Sequence, residues 1–179
     1  MRQGRPVVYR FVTYPFVLES NWGVIPNPVG PLGEHLRNAF MHGLPGGATK
    51  SPSQMPELML KYKEIKKSPL CAMALAANYR GKGDKQHDTV QAYFLARDPH
   101  TIATEAPVWG EDMEGSIDIL QFDGKISILD FKPGCHKCVE AAMTQLYWYR
   151  KLLAAHLGRP TSNFDCFAFD DKRCYQLIS

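Results

Sequence analysis

The chain has 179 residues, 45% of them hydrophobic and 22% charged, and its 21 basic and 18 acidic side chains leave a net charge of +3. That length suits one domain with its own core, and the mixed composition excludes a low-complexity polymer. No apolar run approaches the roughly 20 residues of a membrane span. Five irregularly spaced cysteines point to reduced thiols in a cytoplasmic setting. The small positive charge permits a polyanionic partner without requiring one.

Residues 7–18 are aromatic-rich and loosely alternating, which predicts a strand; Arg10, Thr13 and Pro15 break the apolar run that a signal peptide would need. A punctuated loop from Asn27 to Pro31 leads into LGEHLRNAFMHG, a short helix with Leu32, Leu36, Ala39 and Phe40 as its stripe and His35 at the edge. GLPGGATKSPSQMP, residues 43–56, reads as a long connection and a candidate mobile loop. PELMLKYKEIKK and PLCAMALAANYR read as helices broken at Ser68-Pro69. GKGDKQHD reads as turn and TVQAYFLARD as helix, and IATEAPVW, residues 102–109, reads as a strand. A hairpin follows, and then a long helix from Lys137 to Leu157, stopped by Gly158 and Pro160. FDCFAF and CYQLI form a final pair of strands. This order predicts one α/β domain over residues 1–179 with a mixed sheet: a helical part at about 30–100, and a core at about 101–179 joined by the His35 helix.

The hairpin, SIDILQFDGKISILDFKPG, carries the chemistry. Asp118 interrupts its first apolar run, and Asp130 and Lys132 end the second. Unpaired carboxylates are costly to bury, so such a pattern marks either an ion pair or a site. A two-residue Asp123-Gly124 turn would set Asp118 opposite Leu129 and split the acids between faces. A three-residue Phe122-Asp123-Gly124 loop would set Asp118 opposite Ile128 and give both acids one face. Two carboxylates sharing a face suit a hard divalent cation, and a neighbouring lysine could then orient the attacking water. On the long helix, Gln145 and Tyr149 are i and i+4, hence neighbours beside the core stripe.

Taken in order, His35 in LGEHL, Asp118 in GSIDI, Asp130-Phe131-Lys132 in ILDFKPG and Gln145…Tyr149 in QLYWY resemble the PD-(D/E)XK nuclease superfamily, and within it the RecB-like branch that includes CRISPR adaptation, phage and mitochondrial exonucleases. The resemblance spans residues of about 30–157. It implies a restriction-endonuclease-like fold, with a mixed central β-sheet flanked by helices, and Mg²⁺ or Mn²⁺ as cofactor. It also implies His35, Asp118, Asp130 and the Phe131 carbonyl as metal ligands, with Lys132 positioning the nucleophilic water. Gln145 and Tyr149 would brace the site and touch the DNA backbone, with Lys137 and Arg150 of the same region as further DNA contacts. Glu105 would reach the metal through water, or else is an ordinary strand-edge carboxylate.

The activity implied is hydrolysis of DNA ends or single strands in recombination, repair, phage replication or CRISPR adaptation, beside a helicase, single-strand-binding or recombination partner and away from membranes. Two alternatives share the fold: a structure-specific endonuclease or junction resolvase, and a non-catalytic DNA-binding scaffold. The scaffold should have lost a ligand or the lysine, and here none is missing. Cys135-His136-Lys137-Cys138 lacks the second pair of ligands that zinc needs. Some relatives hold an iron–sulfur cluster with one cysteine before the nuclease core and three after the Gln…Tyr helix. This chain has none before Cys71 and only Cys166 and Cys174 after that helix, which argues against a cluster. Lysines 61, 63, 66 and 67, Arg80, Lys82 and Lys85 are either a solvated helix face or a phosphate track. Of Tyr147, Trp148 and Tyr149, one could stack on a base and at least one should pack in the core.

Overall fold

The computed structural model describes residues 8–9, 32–35, 47–77, 84–110 and 112–178. Its centre is the hairpin of β4 (Glu114–Phe122) and β5 (Ile126–Phe131), closed by Asp123, Gly124 and Lys125. Gly124 has φ 75°, which a residue without Cβ adopts freely, so the three-residue connection closes without a clash. β3 (Thr101–Trp109) lies antiparallel to β4, and the two-residue β1 (Val8–Tyr9) lies beyond it. On the other side β6 (Phe164–Phe169) runs parallel to β5. Antiparallel β7 (Cys174–Leu177) and β2 (Tyr62–Glu64) complete a mixed seven-stranded open sheet in the order β1-β3-β4-β5-β6-β7-β2.

Helices cover both faces. A parallel strand pair needs a crossover, and α3 (Val139–Leu157) supplies it between β5 and β6. Its Val139, Ala142, Met143, Leu146, Leu153 and Leu157 pack on Ile117, Leu120, Ile126, Ile128 and Cys166. The helix ends at Gly158, with φ 59°, whose N–H caps the carbonyls of Ala154 and Ala155. Against the opposite face, Ala74 of α1 (Pro69–Ala76) and Val90 and Phe94 of α2 (Asp84–Arg97) pack on Ile119, Leu129, Phe131 and Phe169. Ser68 caps α1 by accepting a hydrogen bond from the Leu70 N–H at 3.3 Å. The chain is therefore an α/β protein with helices on both faces of one mixed sheet.

Two expectations change. The stretch 56–67 is not helical: Tyr62–Glu64 is a strand paired with β7, Lys66-Lys67 is a turn, and Leu58 N–H donates to Thr144 Oγ1 of α3 at 2.9 Å. The α2 helix begins at Asp84, inside the stretch read as turn. Residues 10–31, 36–46, 78–83 and 111 lie outside the described set, so the strand over 7–18 is seen only at Val8–Tyr9 and the helix after Pro31 only at 32–35. Between Gly47 and Pro56 the long connection contains one short 3₁₀ turn, Pro52–Gln54. Among the described residues no helix is long and apolar enough to cross a membrane.

Candidate active site

The hairpin register brings the acids together. Phe122 pairs with Ile126, Leu120 with Ile128 and Ile119 with Leu129; one further step sets Asp118 opposite Asp130. The loop has three residues, as a shared site requires. However, it is Asp123-Gly124-Lys125, so Asp118 meets Asp130 and not Ile128. In β3, Thr104 pairs with Ile119 and Ala106 with Ile117, which puts Glu105 opposite Asp118. Glu105, Asp118 and Asp130 thus form one row across three adjacent strands.

The row lies where the strands slip out of simple alternation. Ile117 and Leu120 both join the α3-side core, as do Ala103 and Ala106, so each strand loses its two-residue period between those positions. In β3 the slip is visible in the backbone: Glu105 has φ 51°, a left-handed conformation costing a non-glycine residue about 1–3 kcal/mol. Its carboxylate is held by Gln91 Nε2 at 2.6 Å and Ser116 Oγ at 2.8 Å.

Asp130 is the outlier. It is 0% exposed, and among the described residues no donor other than the Lys132 ammonium stands within reach of its carboxylate. Lys132 Nζ stands 3.2 Å from Oδ1, within ion-pair distance. Burial pushes the Asp130 carboxyl up to about 7; the Lys132 ammonium pulls against that rise, and the Asp118 charge adds to it. Burial presses the Lys132 ammonium down, yet Asp130 and Asp118 together outweigh it and leave its pKa above the ordinary lysine value. Lys132 is therefore a cation in this arrangement, suited to orienting a water and offsetting developing charge.

Asp118, 9% exposed, is partnered: its Oδ2 accepts from the Phe131 N–H at 3.0 Å and lies 3.1 Å from His87 Nδ1. The hydrogen bond to Asp118 raises the His87 pKa, burial opposes that, and the Asp118 charge supports it. His87 was not among the expected site residues. Its signal was present, because His87, Val90, Gln91 and Phe94 are spaced i, i+3, i+4 and i+7 on one helical face. The turn-like Gly81-Lys82-Gly83 before them hid the start of the helix.

The other expected residues divide. Gln145 Nε2 donates to Tyr149 Oη at 2.7 Å, both side chains are buried, and burial raises the tyrosine pKa, with Asp130 its strongest charged neighbour. Phe131 joins the acids through its N–H, and Lys137 lies exposed on the 3₁₀ turn Cys135–Lys137. Arg150 is as buried as Gln145 and Tyr149, at 8% exposed, and its Nε has no hydrogen-bond partner among the described residues. It lies four residues after Leu146 and three before Leu153, on the stripe that faces the sheet. His35 is elsewhere. Its Nε2 lies 2.8 Å from the Pro107 carbonyl and its ring stacks on Trp109 at 4.7 Å, beside His156. None of these contacts is to Asp118 or Asp130; among the described residues the histidine that contacts the acids is His87. Tyr147 and Trp148 are half-buried and meet edge to face, with Lys151 Nζ over both rings. Cys135 is buried, its N–H bonded to Asp170 Oδ2 at 3.1 Å, in the turn that opens α3.

Among the described residues no three His, Cys, Asp or Glu side chains stand close enough to enclose an ion. The Asp130 oxygens, with Asp118 beside them, still fit a hard cation of the Mg²⁺ type. Such ions are held by one or two carboxylates and complete their shell with water and substrate phosphate. The chain finds no match among protein-family models, curated proteins or solved structures.

Proposed function

We propose that the protein is a Mg²⁺- or Mn²⁺-dependent deoxyribonuclease of the PD-(D/E)XK kind, with a restriction-endonuclease-like core, acting as an exonuclease on DNA ends or single strands. The observation that carries this reading is the Asp130 carboxylate, fully buried, one step beyond the Ile119–Leu129 pair on the side of Asp118, with the Lys132 ammonium at 3.2 Å its only donor among the described residues. A buried carboxylate whose oxygens lack donors costs about 1–3 kcal/mol, more when charged, and one lysine at the side of Oδ1 leaves Oδ2 to be satisfied, which supports a bound cation there.

Asp130 and Asp118 would hold the ion, with Glu105 next in the row and His87 fixing Asp118. A divalent cation held there would supply Lewis acidity toward a water and the scissile phosphate. Lys132 orients that water and offsets charge on the phosphate, while Gln145 and Tyr149 brace the wall of the site from α3.

The test is incubation of the protein and of Lys132→Ala with end-labelled linear DNA and circular single strands in Mg²⁺, Mn²⁺ and EDTA. The reading expects metal-dependent loss of linear DNA only, abolished in the variant. Cleavage of the circles would move the assignment to an endonuclease. DNA binding without cleavage under any metal would leave a non-catalytic scaffold.

A further inference from the structure

Three loops lie side by side at one end of the sheet. β5 and β6 are parallel and end together at Phe131 and Phe169. The turn 170–173 reverses the chain into β7 at that same end, because Phe169 pairs with Cys174. β2 ends there too, since Glu64 pairs with Tyr175. Hydrogen bonds stitch the loops together: Lys132 N–H to Phe169 O at 2.9 Å, Cys135 N–H to Asp170 Oδ2 at 3.1 Å, and Ile65 N–H to Cys174 O at 2.8 Å.

These loops carry six cations. Starting at Lys132 in the candidate site, the row passes exposed Lys137, then exposed Lys172 and Arg173, then exposed Lys66 and Lys67 after β2. Lys137, Lys172, Lys66 and Lys67 make no ion pair among the described residues, and Arg173 bonds only the Tyr175 hydroxyl, at 3.4 Å. Acids stand among them: Glu64 and Asp170 act on Arg173, and Glu140 accepts from the Tyr62 hydroxyl. Of these, Asp170 is buried under the N–H groups of Cys135, Lys172 and Arg173, while among the described residues Glu64, Asp171 and Glu140 lie near the row. From β5 to β2 the row spans three strand spacings, roughly 14 Å, the length of a few nucleotides of extended backbone.

We propose that this row is the track of one nucleic-acid strand, with the phosphate backbone crossing the ends of β2, β7, β6 and β5 to reach Lys132 and Asp130. A single line of cations follows one phosphodiester backbone, as single-strand grooves do, and its continuity with the acid row favours nucleic acid over an acidic protein or a lipid surface. The inference deepens the nuclease reading, which supplies the end of the track; binding along the track is independent of cleavage.

The experiment is fluorescence anisotropy of a labelled oligothymidylate with the full chain in EDTA across a salt series. The quadruple variant Lys66→Ala/Lys67→Ala/Lys172→Ala/Arg173→Ala should bind at least about tenfold more weakly at 0.1 M salt. Its log–log salt slope should be shallower by roughly two to three, at about 0.7 per contacted phosphate of a single strand. Lys125→Ala/Arg159→Ala, at the opposite end of the sheet, should bind within twofold of the parent chain. An unchanged affinity or slope in the quadruple variant overturns the track. So does a parent chain that fails to bind the oligomer at low salt, or one that binds anionic vesicles or polyglutamate as tightly. Loss of binding in the quadruple variant, in a parent chain that cleaves nothing with any metal, supports the track and removes only the nuclease reading.

Discussion

Two buried aspartates at neighbouring strand ends have opposite surroundings. Asp170, 2% exposed and just past β6, accepts hydrogen bonds from three backbone N–H groups, those of Cys135, Lys172 and Arg173, at 2.7 to 3.1 Å. Asp130, in β5 and 0% exposed, has no backbone donor among the described residues, only the Lys132 ammonium. Asp98 resembles Asp170: it takes the His100 N–H, the Thr101 hydroxyl and the Gln121 amide. Residue type and burial are alike at all three positions, so the difference lies in what the carboxylate is kept for. Asp98 and Asp170 close turns, whereas Asp130 is held open beside a lysine.

Exchanging roles should break this contrast. The largest effect is on chemistry: Asp130→Asn should lower metal-dependent DNA cleavage by about 10³-fold or more, since a neutral amide neither holds a cation nor balances Lys132. Gel assays on labelled DNA read this, and activity within tenfold of the parent would contradict it. Asp170→Ala should leave the acid row in place but cost about 3 kcal/mol of stability by orphaning three N–H groups, a melting shift of roughly 6–12 °C. Calorimetry that finds no shift would remove the turn-closing role.

The same Asp130→Asn change should stabilise the fold at neutral pH. Because the folded carboxyl titrates near 7 and not at its ordinary 3.8, its contribution favours folding below about pH 4 and is lost as pH rises through 7. Urea titrations without metal should find the variant more stable by on the order of 2 kcal/mol at pH 8 and equal to the parent near pH 4. A gain independent of pH would assign the effect to packing. Smallest is His87→Ala, which frees Asp118 on one side and should raise the metal concentration for half-maximal cleavage 10–100-fold, as loss of a supporting hydrogen bond to a ligand does. An unchanged metal requirement would make His87 a packing residue.

Much of this was legible before folding, for physical reasons. Asp118, Asp130 and Lys132 stood out because charges interrupted β-branched runs, and the long helix because its apolar stripe ended at Gly158-Arg159-Pro160. Local pattern could not show which histidine arrives at the acids, because that depends on how α2 docks on the sheet, so His35 was read where His87 sits. Residues 56–67 have helical composition, yet pairing of Tyr62–Glu64 with β7 overrides propensity. The burial of Arg150 was readable from its place on the Leu146–Leu153 stripe; a charge there weighed more than its position. Hairpin register turned on a single residue, since Asp-Gly fits both a two- and a three-residue turn.

The central claim is that the Asp130 carboxylate exists to hold a divalent cation, and calorimetric titration of the full chain with Mn²⁺ at pH 8 tests it most directly, with Asp130→Asn titrated in parallel. The account predicts a saturable binding event in the parent chain that the variant lacks while remaining folded. Equal binding by both proteins, or none by the parent chain, would contradict it.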